Sequence, residues 1–247
     1  RDLHSFPTRR SSDLVVGDVA VGAGSPVAVQ SMSNVESHDE KGILRQISEL
    51  EEAGCEIVRL AVPDKDALEV FERVRRQTEM PLVADIHFDY RLAVGAIKAG
   101  ADKIRINPGN IGSRDRMKKV VEAAAERNIP IRVGVNSGSL EKDIVEKNGG
   151  VTAGGLAESA IRNVGIVEDM GYDNIVISMK ASDVKMTFDA HRIAAGMTEH
   201  PFHIGITEAG TMRRGKIKSA AGIGALLLSG IGDTNYQIGR ASCRERV

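Results

Sequence analysis

The chain has 247 residues, 42% hydrophobic and 27% charged, with a net charge of −1, a composition suited to one large α/β domain or two small ones. Aromatic residues make up only 3% and Trp is absent, which argues against base-stacking surfaces for nucleic acid. No apolar run nears the ~20 residues of a membrane span, and a near-balanced charge gives no general affinity for polyanions.

The two ends stand apart. Residues 3–14, LHSFPTRRSSDL, and 237–247, QIGRASCRERV, are Arg-rich and without hydrophobic periodicity. Both can be back-translated from one DNA segment read on opposite strands, as adapter sequence flanking an insert would be. A basic arm or targeting peptide is the competing reading, and it gives no reason for reverse-complementary ends. The expected organisation is an adapter-like segment at 1–14, a folded unit at 15–236 and a second adapter-like segment at 237–247. Cys243 falls in the last of these, which leaves Cys55 alone. One thiol builds neither a disulfide framework nor a Cys-ligated metal site, and the usage fits a cytoplasmic location.

Within 15–236 two kinds of segment alternate in chain order. SPVAVQS (25–31), MPLVADI (80–86), IPIRVGV (129–135) and HPFHIGI (200–206) each pass through proline into a short apolar strand. AGCEIVRL (53–60), AGADKIRI (99–106) and MGYDNIVI (170–177) each leave a helix through glycine and start a strand near an acidic residue. Glycine supplies a left-handed helix cap, and proline takes a strand position that needs no ladder donor. Helical spacing fills the gaps, as in Ile43, Leu44, Ile47 and Leu50, then Leu68, Phe71, Val74 and Arg75. Asn136 to Gly154 is polar and Gly-rich and reads as a mouth loop or small hairpin. Seven strands at this spacing point to a TIM-type (βα)8 barrel, with an open doubly wound sheet as the alternative. The eighth strand is expected to begin at GIGDT (230–234) and to be cut by the adapter, leaving the barrel incomplete at strand eight.

Strand ends carry the chemistry. Side chains alternate across a strand, so Arg59 shares a face with Ile57, Asp85 with His87, Arg105 with Asn107, Arg132 with Asn136, Ser178 with Lys180, and Ile206 with Glu208. The opposite positions, among them Val58, Leu60, Ile86, Ile104, Ile106, Val133, Val135 and Ile177, are apolar and are expected to pack on the helices. By this count His203 faces the helices, and Cys55 serves packing. The polar set converges on the C-terminal mouth, where parallel α/β proteins place their sites. Arginine forks match phosphate oxygens, so the expected ligand is a phosphate or diphosphate ester; interior ion pairing of the arginines with Asp85 and Glu208 is the alternative. Glu208 is a candidate acid or base. Asp85 with His87 makes a weak metal signal without a third ligand, and no metal site is assigned.

The segments VQSMSN (29–34), IVRLAVP (57–63), PLVADIHFDYR (81–91), RINPGNIG (105–112), IPIRVGVNSGSLEKD (129–143), KASD (180–183), GITEAG (205–210) and GIGDT (230–234) resemble, in order, those of the 4-hydroxy-3-methylbut-2-enyl diphosphate synthases of non-mevalonate isoprenoid biosynthesis. The resemblance implies a substrate-binding barrel followed in the parent enzyme by an iron–sulfur domain. That enzyme, an oxidoreductase, opens 2-C-methyl-D-erythritol 2,4-cyclodiphosphate by two-electron reductive dehydroxylation. It implies a diphosphate clamp of Arg59, Arg105, Arg132 and Lys180, substrate contacts from Asp85, His87, Asn107 and Asn136, and Glu208 as the catalytic acid or base. It also implies a 4Fe–4S cluster whose ligands are absent from this chain, ferredoxin or flavodoxin as electron donor, and a homodimeric parent. No nucleic acid or membrane partner is expected, and the isolated chain is expected to be inactive. A pterin- or phosphate-binding transferase resembling dihydropteroate synthase is the second reading.

Overall fold

The computed structural model describes residues 13–22, 24–207 and 210–236. The segment 237–247, residues 1–12 and Glu208 lie outside these. Two short strands come first, β1 (Leu14–Val16) and β2 (Val19–Val21), paired antiparallel around Gly17 and Asp18. Leu14, grouped by sequence with the adapter-like end, is the first residue of β1. It is buried with Val16, Val21, Ala28, Ile57, Val83 and Val176. The hairpin therefore plugs the N-terminal end of the structure that follows.

That structure is a ring of eight parallel strands: β3 (Ala28–Met32), β4 (Ile57–Ala61), β5 (Leu82–Asp85), β6 (Lys103–Ile106), β7 (Ile131–Asn136), β8 (Ile175–Lys180), β9 (His203–Ile204) and β10 (Thr234–Tyr236). Each predicted strand forms. The expected gap at strand eight does not: β10 pairs with β9 on one side and β3 on the other. The unsealed seam lies instead between β8 and the two-residue β9, where Ile177 bridges Phe202 and the Ile177 N–H reaches the Pro201 carbonyl at 2.9 Å. A strand of two residues cannot lay a full ladder, and this sets where the barrel is weakest.

Outside the ring lie α1 (Glu40–Glu52), α2 (Lys65–Arg75), α3 (Tyr90–Lys98), α4 (Pro108–Ile111), α5 (Arg114–Arg127), α6 (Lys142–Lys147), α7 (Ala153–Glu168), α8 (Val184–Ala195) and α9 (Met212–Leu228). Asp39, Asp64, Asp89 and Asp183 cap α1, α2, α3 and α8 by accepting first-turn N–H groups, which starts these helices at the mouth side. The connection from Asn136 to Gly154 is a 3₁₀ turn (Ser137–Ser139) and α6, not a hairpin. No described helix is long and apolar enough to cross a membrane.

The alternation of segments has a physical basis. Proline at a strand entrance gives no N–H, and the acid of the neighbouring unit takes the next one. Asp102 accepts from Leu82 N–H, just after Pro81, and Asp233 accepts from Phe202 N–H, just after Pro201, both at 2.8 Å. Glu56 accepts from Val29 N–H, three residues past Pro26, at 2.8 Å. In the remaining pair a backbone carbonyl, that of Asn174, receives Ile131 N–H. The acids thus stitch successive strands together at the end away from the mouth. Gly54, Gly100 and Gly171 take the left-handed backbone that the helix exits require.

Val58, Leu60, Ile86, Ile104, Ile106, Val133, Val135 and Ile177 are all buried in one cluster with Ile43, Phe71, Ala96, Val120 and Leu156 of the helices. Cys55 joins that cluster, its thiol against the Ile57 carbonyl at 3.2 Å. Apolar outward faces leave the polar faces of the strands to fill the barrel.

Candidate active site

Above the hydrophobic plug the barrel interior turns polar. Arg59, Lys103, Arg105, Arg132 and Lys180 all come from inward strand positions, and Asp85 is the one carboxylate that faces them among the described residues. All are buried except Arg59, which is nearly so. Five basic groups against one carboxylate is an excess that a buried site holds at a cost, in charge or in depressed protonation, unless an anion enters.

Asp85 organises the group. Its carboxylate lies 3.1 Å from Arg105 Nη1 and 3.6 Å from Arg59 Nε. Burial opposes its charge, but the Arg59 and Arg105 guanidiniums outweigh burial and hold its carboxyl below the usual range. Arg59 also rests on the Met32 sulfur. Arg132 Nε donates to Ser178 Oγ at 3.0 Å, which ties β7 to β8 beneath the mouth. Lys180 lies within the field of Arg132, Arg59 and Arg105; burial first, then these charges, pushes it well below the ordinary lysine value.

The rim residues have different environments. His87 is half exposed, its Nδ1 3.5 Å from Arg105 and its Nε2 3.8 Å from Asp85. Asn107 is buried and caps α4, its amide oxygen accepting from Gly109 N–H at 3.1 Å; Asn163 accepts from the same N–H. Asn136 ends β7 at the start of the 3₁₀ turn. The structure therefore brings Arg59, Asp85, His87 and Arg105 into one contact group and Arg132 and Lys180 into its field. Glu208, the expected acid or base, lies outside the described residues.

Gly134 decides where Arg105 sits. A Cβ built there would lie 2.7 Å from Arg105 Nε and 3.1 Å from its Nη2. The Gly134→Ala variant is expected to push the guanidinium aside rather than bend the strand, because the clash falls on the far end of a flexible side chain. A stability loss of about 1–3 kcal/mol in urea denaturation is expected from such overpacking. Unchanged stability together with unchanged anion binding would show that Arg105 has room to spare.

Two facings read from sequence are corrected, that of His203 as helix-facing and that of Ile206 as inward. His203 does not face the helices: Ile204, its neighbour, packs into the helix layer, while His203 is fully buried inside the barrel. Burial, followed by the charges of Arg132, Lys180, Lys103 and Arg59, pushes it well below the ordinary histidine value. Ile206 errs in the opposite direction: it packs outward on Gly222 of α9. Counting alternation back from Glu208 fails because β9 ends at Ile204, and burying isoleucine on a helix outweighs an extended register.

Sequence reasoning also missed Lys103, Gln30 and Thr234, all inward and fully buried. Lys103 was legible, two residues before Arg105 on the same face. Gln30 lies on a segment, SPVAVQS (25–31), whose strand was legible but whose facing was not assigned. Two grooves outside the barrel, about 300 Å³ at the plugged end near Asn128 and Asp173 and about 330 Å³ between α3 and α5, lie away from these groups.

Residues 11–238 match the model of the GcpE TIM-barrel domain. The chain belongs to that family. Curated relatives agree. A protein of Caldanaerobacter subterraneus subsp. tengcongensis is 53% identical over 222 residues, covering 90% of this chain and 62% of its own length. One of Pseudomonas paraeruginosa is 54% identical over 226 residues, 92% of this chain and 61% of its own length. Both are named 4-hydroxy-3-methylbut-2-en-1-yl diphosphate synthase (flavodoxin). The chain thus spans a little over three fifths of these relatives. Among solved structures, the dihydropteroate synthase of Xanthomonas albilineans superposes with a TM-score of 0.65 at 17% identity over 93% of each chain. The 3-dehydroquinate dehydratase of Geobacillus kaustophilus gives 0.65 at 13%, over 94% of this chain and 90% of its own. At such identity these show the barrel alone, and the transferase reading gains nothing from them.

The described residues of this GcpE barrel do not fit a 4Fe–4S cluster. Their single cysteine, Cys55, is buried against the backbone of β4 on the helix side, and no three His, Cys, Asp or Glu side chains among them gather as a metal site.

Proposed function

We propose that this barrel holds the substrate in a 4-hydroxy-3-methylbut-2-enyl diphosphate synthase, the oxidoreductase of isoprenoid (terpenoid) biosynthesis that reductively opens 2-C-methyl-D-erythritol 2,4-cyclodiphosphate. The observation that carries the reading is the gathering of five inward basic side chains around the single carboxylate of Asp85, which a diphosphate would complement. Arg59, Arg105, Arg132 and Lys180 clamp the diphosphate. Asp85 presets the two guanidiniums beside it, so less side-chain freedom is lost on binding. Asn107, Asn136 and His87 meet the substrate at the rim, and Glu208 exchanges a proton near the carbon–oxygen bond that breaks.

The reductive step needs two electrons, which a 4Fe–4S cluster would relay when bound; the described residues do not hold one. The name shared by the relatives favours flavodoxin over ferredoxin as the donor. We assign the parent a cytoplasmic location and a homodimeric form, which gel filtration of the whole enzyme would test.

Calorimetry of the 247-residue chain with inorganic pyrophosphate tests the clamp. Binding that weakens steeply with added salt is expected, and no binding at low salt would overturn the reading. With the cyclic diphosphate and a strong reductant, the same chain is expected to form no product. Product would mean that the barrel needs no cluster.

A further inference from the structure

Lys103 is a group for which the proposed clamp has no use. It is fully buried on β6, two residues below Arg105, and its Nζ has no hydrogen-bond partner among the described residues. On the same interior, both amide atoms of Gln30 and the Thr234 hydroxyl are likewise buried without partners. Buried polar groups are normally satisfied, so three such side chains lining one polar chamber mark a place built for something that arrives.

The charges around Lys103 say what that is. Arg59 of β4 and Arg132 of β7 face it, with His203 of β9 beside them. Arg105 of its own strand and Lys180 of β8 add positive charge towards the mouth. Asp85 of β5, the one inward carboxylate among the described residues, stands higher and is engaged by Arg59 and Arg105. A lysine with cations on two sides and no anion in reach has every reason to be uncharged.

We propose that Lys103 is a further anion-binding residue of this barrel, an uncharged amine while the chamber is empty and an ammonium once a phosphoryl group occupies it. The inference rests on the diphosphate reading above and adds to it the charge change on binding. Burial, then the Arg132 and Arg59 charges, depresses the Lys103 ammonium well below its ordinary value, in keeping with this. One proton passes from solvent to Nζ, no covalent bond to the ligand forms, and the N–H groups of the resulting ammonium donate to phosphoryl oxygens. Gln30 and Thr234 are placed to orient that group or the water around it.

The test is calorimetry of the 247-residue chain with inorganic pyrophosphate at pH 8, in buffers of different ionisation heat. The buffer dependence of the heat gives the protons taken up. The wild type is expected to take up close to one more proton per pyrophosphate than Lys103→Met, and the variant to bind about ten- to hundredfold more weakly. Equal proton uptake and equal affinity would overturn the proposal. Lys103→Arg, permanently charged, is expected to bind without the extra proton and to gain more thermal stability from pyrophosphate than the wild type. If neither variant folds, the wild type alone decides: binding with no net uptake of protons sinks the inference and leaves the clamp standing. Absence of any binding sinks both.

Discussion

Replacing Arg132 by methionine is expected to weaken pyrophosphate binding roughly thirtyfold or more, while the ligand-free chain becomes as stable as the wild type or more so. The two effects have opposite signs for one reason. Arg132 is 1% exposed and stands among Arg59, Lys103, Arg105 and Lys180, so in the empty barrel its charge is desolvated and repelled. Methionine fills similar volume and removes that repulsion; swaps of buried charge for apolar bulk are often neutral or stabilising by about 1–4 kcal/mol. With the anion bound, the same guanidinium is worth about 2–5 kcal/mol, the usual loss when one partner of a buried charge pair is truncated. Calorimetry gives the first effect and urea denaturation the second. A variant that lost stability and kept its affinity would make Arg132 a structural strut joined to Ser178.

Asp85→Asn is expected to act the other way, costing about 3–5 kcal/mol of stability, as breaking a buried ion pair does. Asp85 is 3% exposed and holds two guanidiniums, so its loss leaves the interior cations with no carboxylate among the described residues. The pH dependence follows from the direction of its shift. The folded carboxyl lies below its unfolded value near 4, so its stabilisation is complete above that value and is lost as pH falls through the lower folded value. The variant should therefore lose the part of the acid limb that Asp85 contributes. Pyrophosphate should narrow the gap at pH 7, because the ligand restores negative charge to the chamber. Equal wild-type and variant stability at pH 7 would show that solvent or other groups neutralise the two arginines.

Both expectations describe a barrel whose interior is built for its ligand rather than for its own stability. Such local conflicts are where function is to be found. Asp85 is kept because two arginines need a preset geometry, and Gly134 is kept small because Arg105 lies across it.

Much of this was legible along the chain. The alternating proline and glycine–acid segments gave eight strands in order, and the structure adds why they alternate, since Asp102 and Asp233 take the N–H groups that follow Pro81 and Pro201. Arg59, Asp85, Arg105, Arg132 and Lys180 were found by two-residue alternation, because their strands are four to six residues long and run straight to the mouth. His203 and Ile206 were misplaced for the converse reason: alternation has no hold on a two-residue strand. Lys103 obeys the same rule as Arg105 but lies below the strand end, away from the mouth where parallel barrels place their chemistry.

The sequence by itself determined the barrel, its order of strands, its apolar outer faces and the identity of most charges at the mouth. These depend on local periodicity and on which side chains can be buried. Only the tertiary structure decided that the seam falls between β8 and β9, that a hairpin from Leu14 to Val21 plugs the far end, and that Asp85 shares the interior with five basic side chains among the described residues. Those facts depend on which strands close the ring and which charges meet inside it. A count along the chain does not contain them, because charge balance in a buried chamber is a property of the residues that face one another across it.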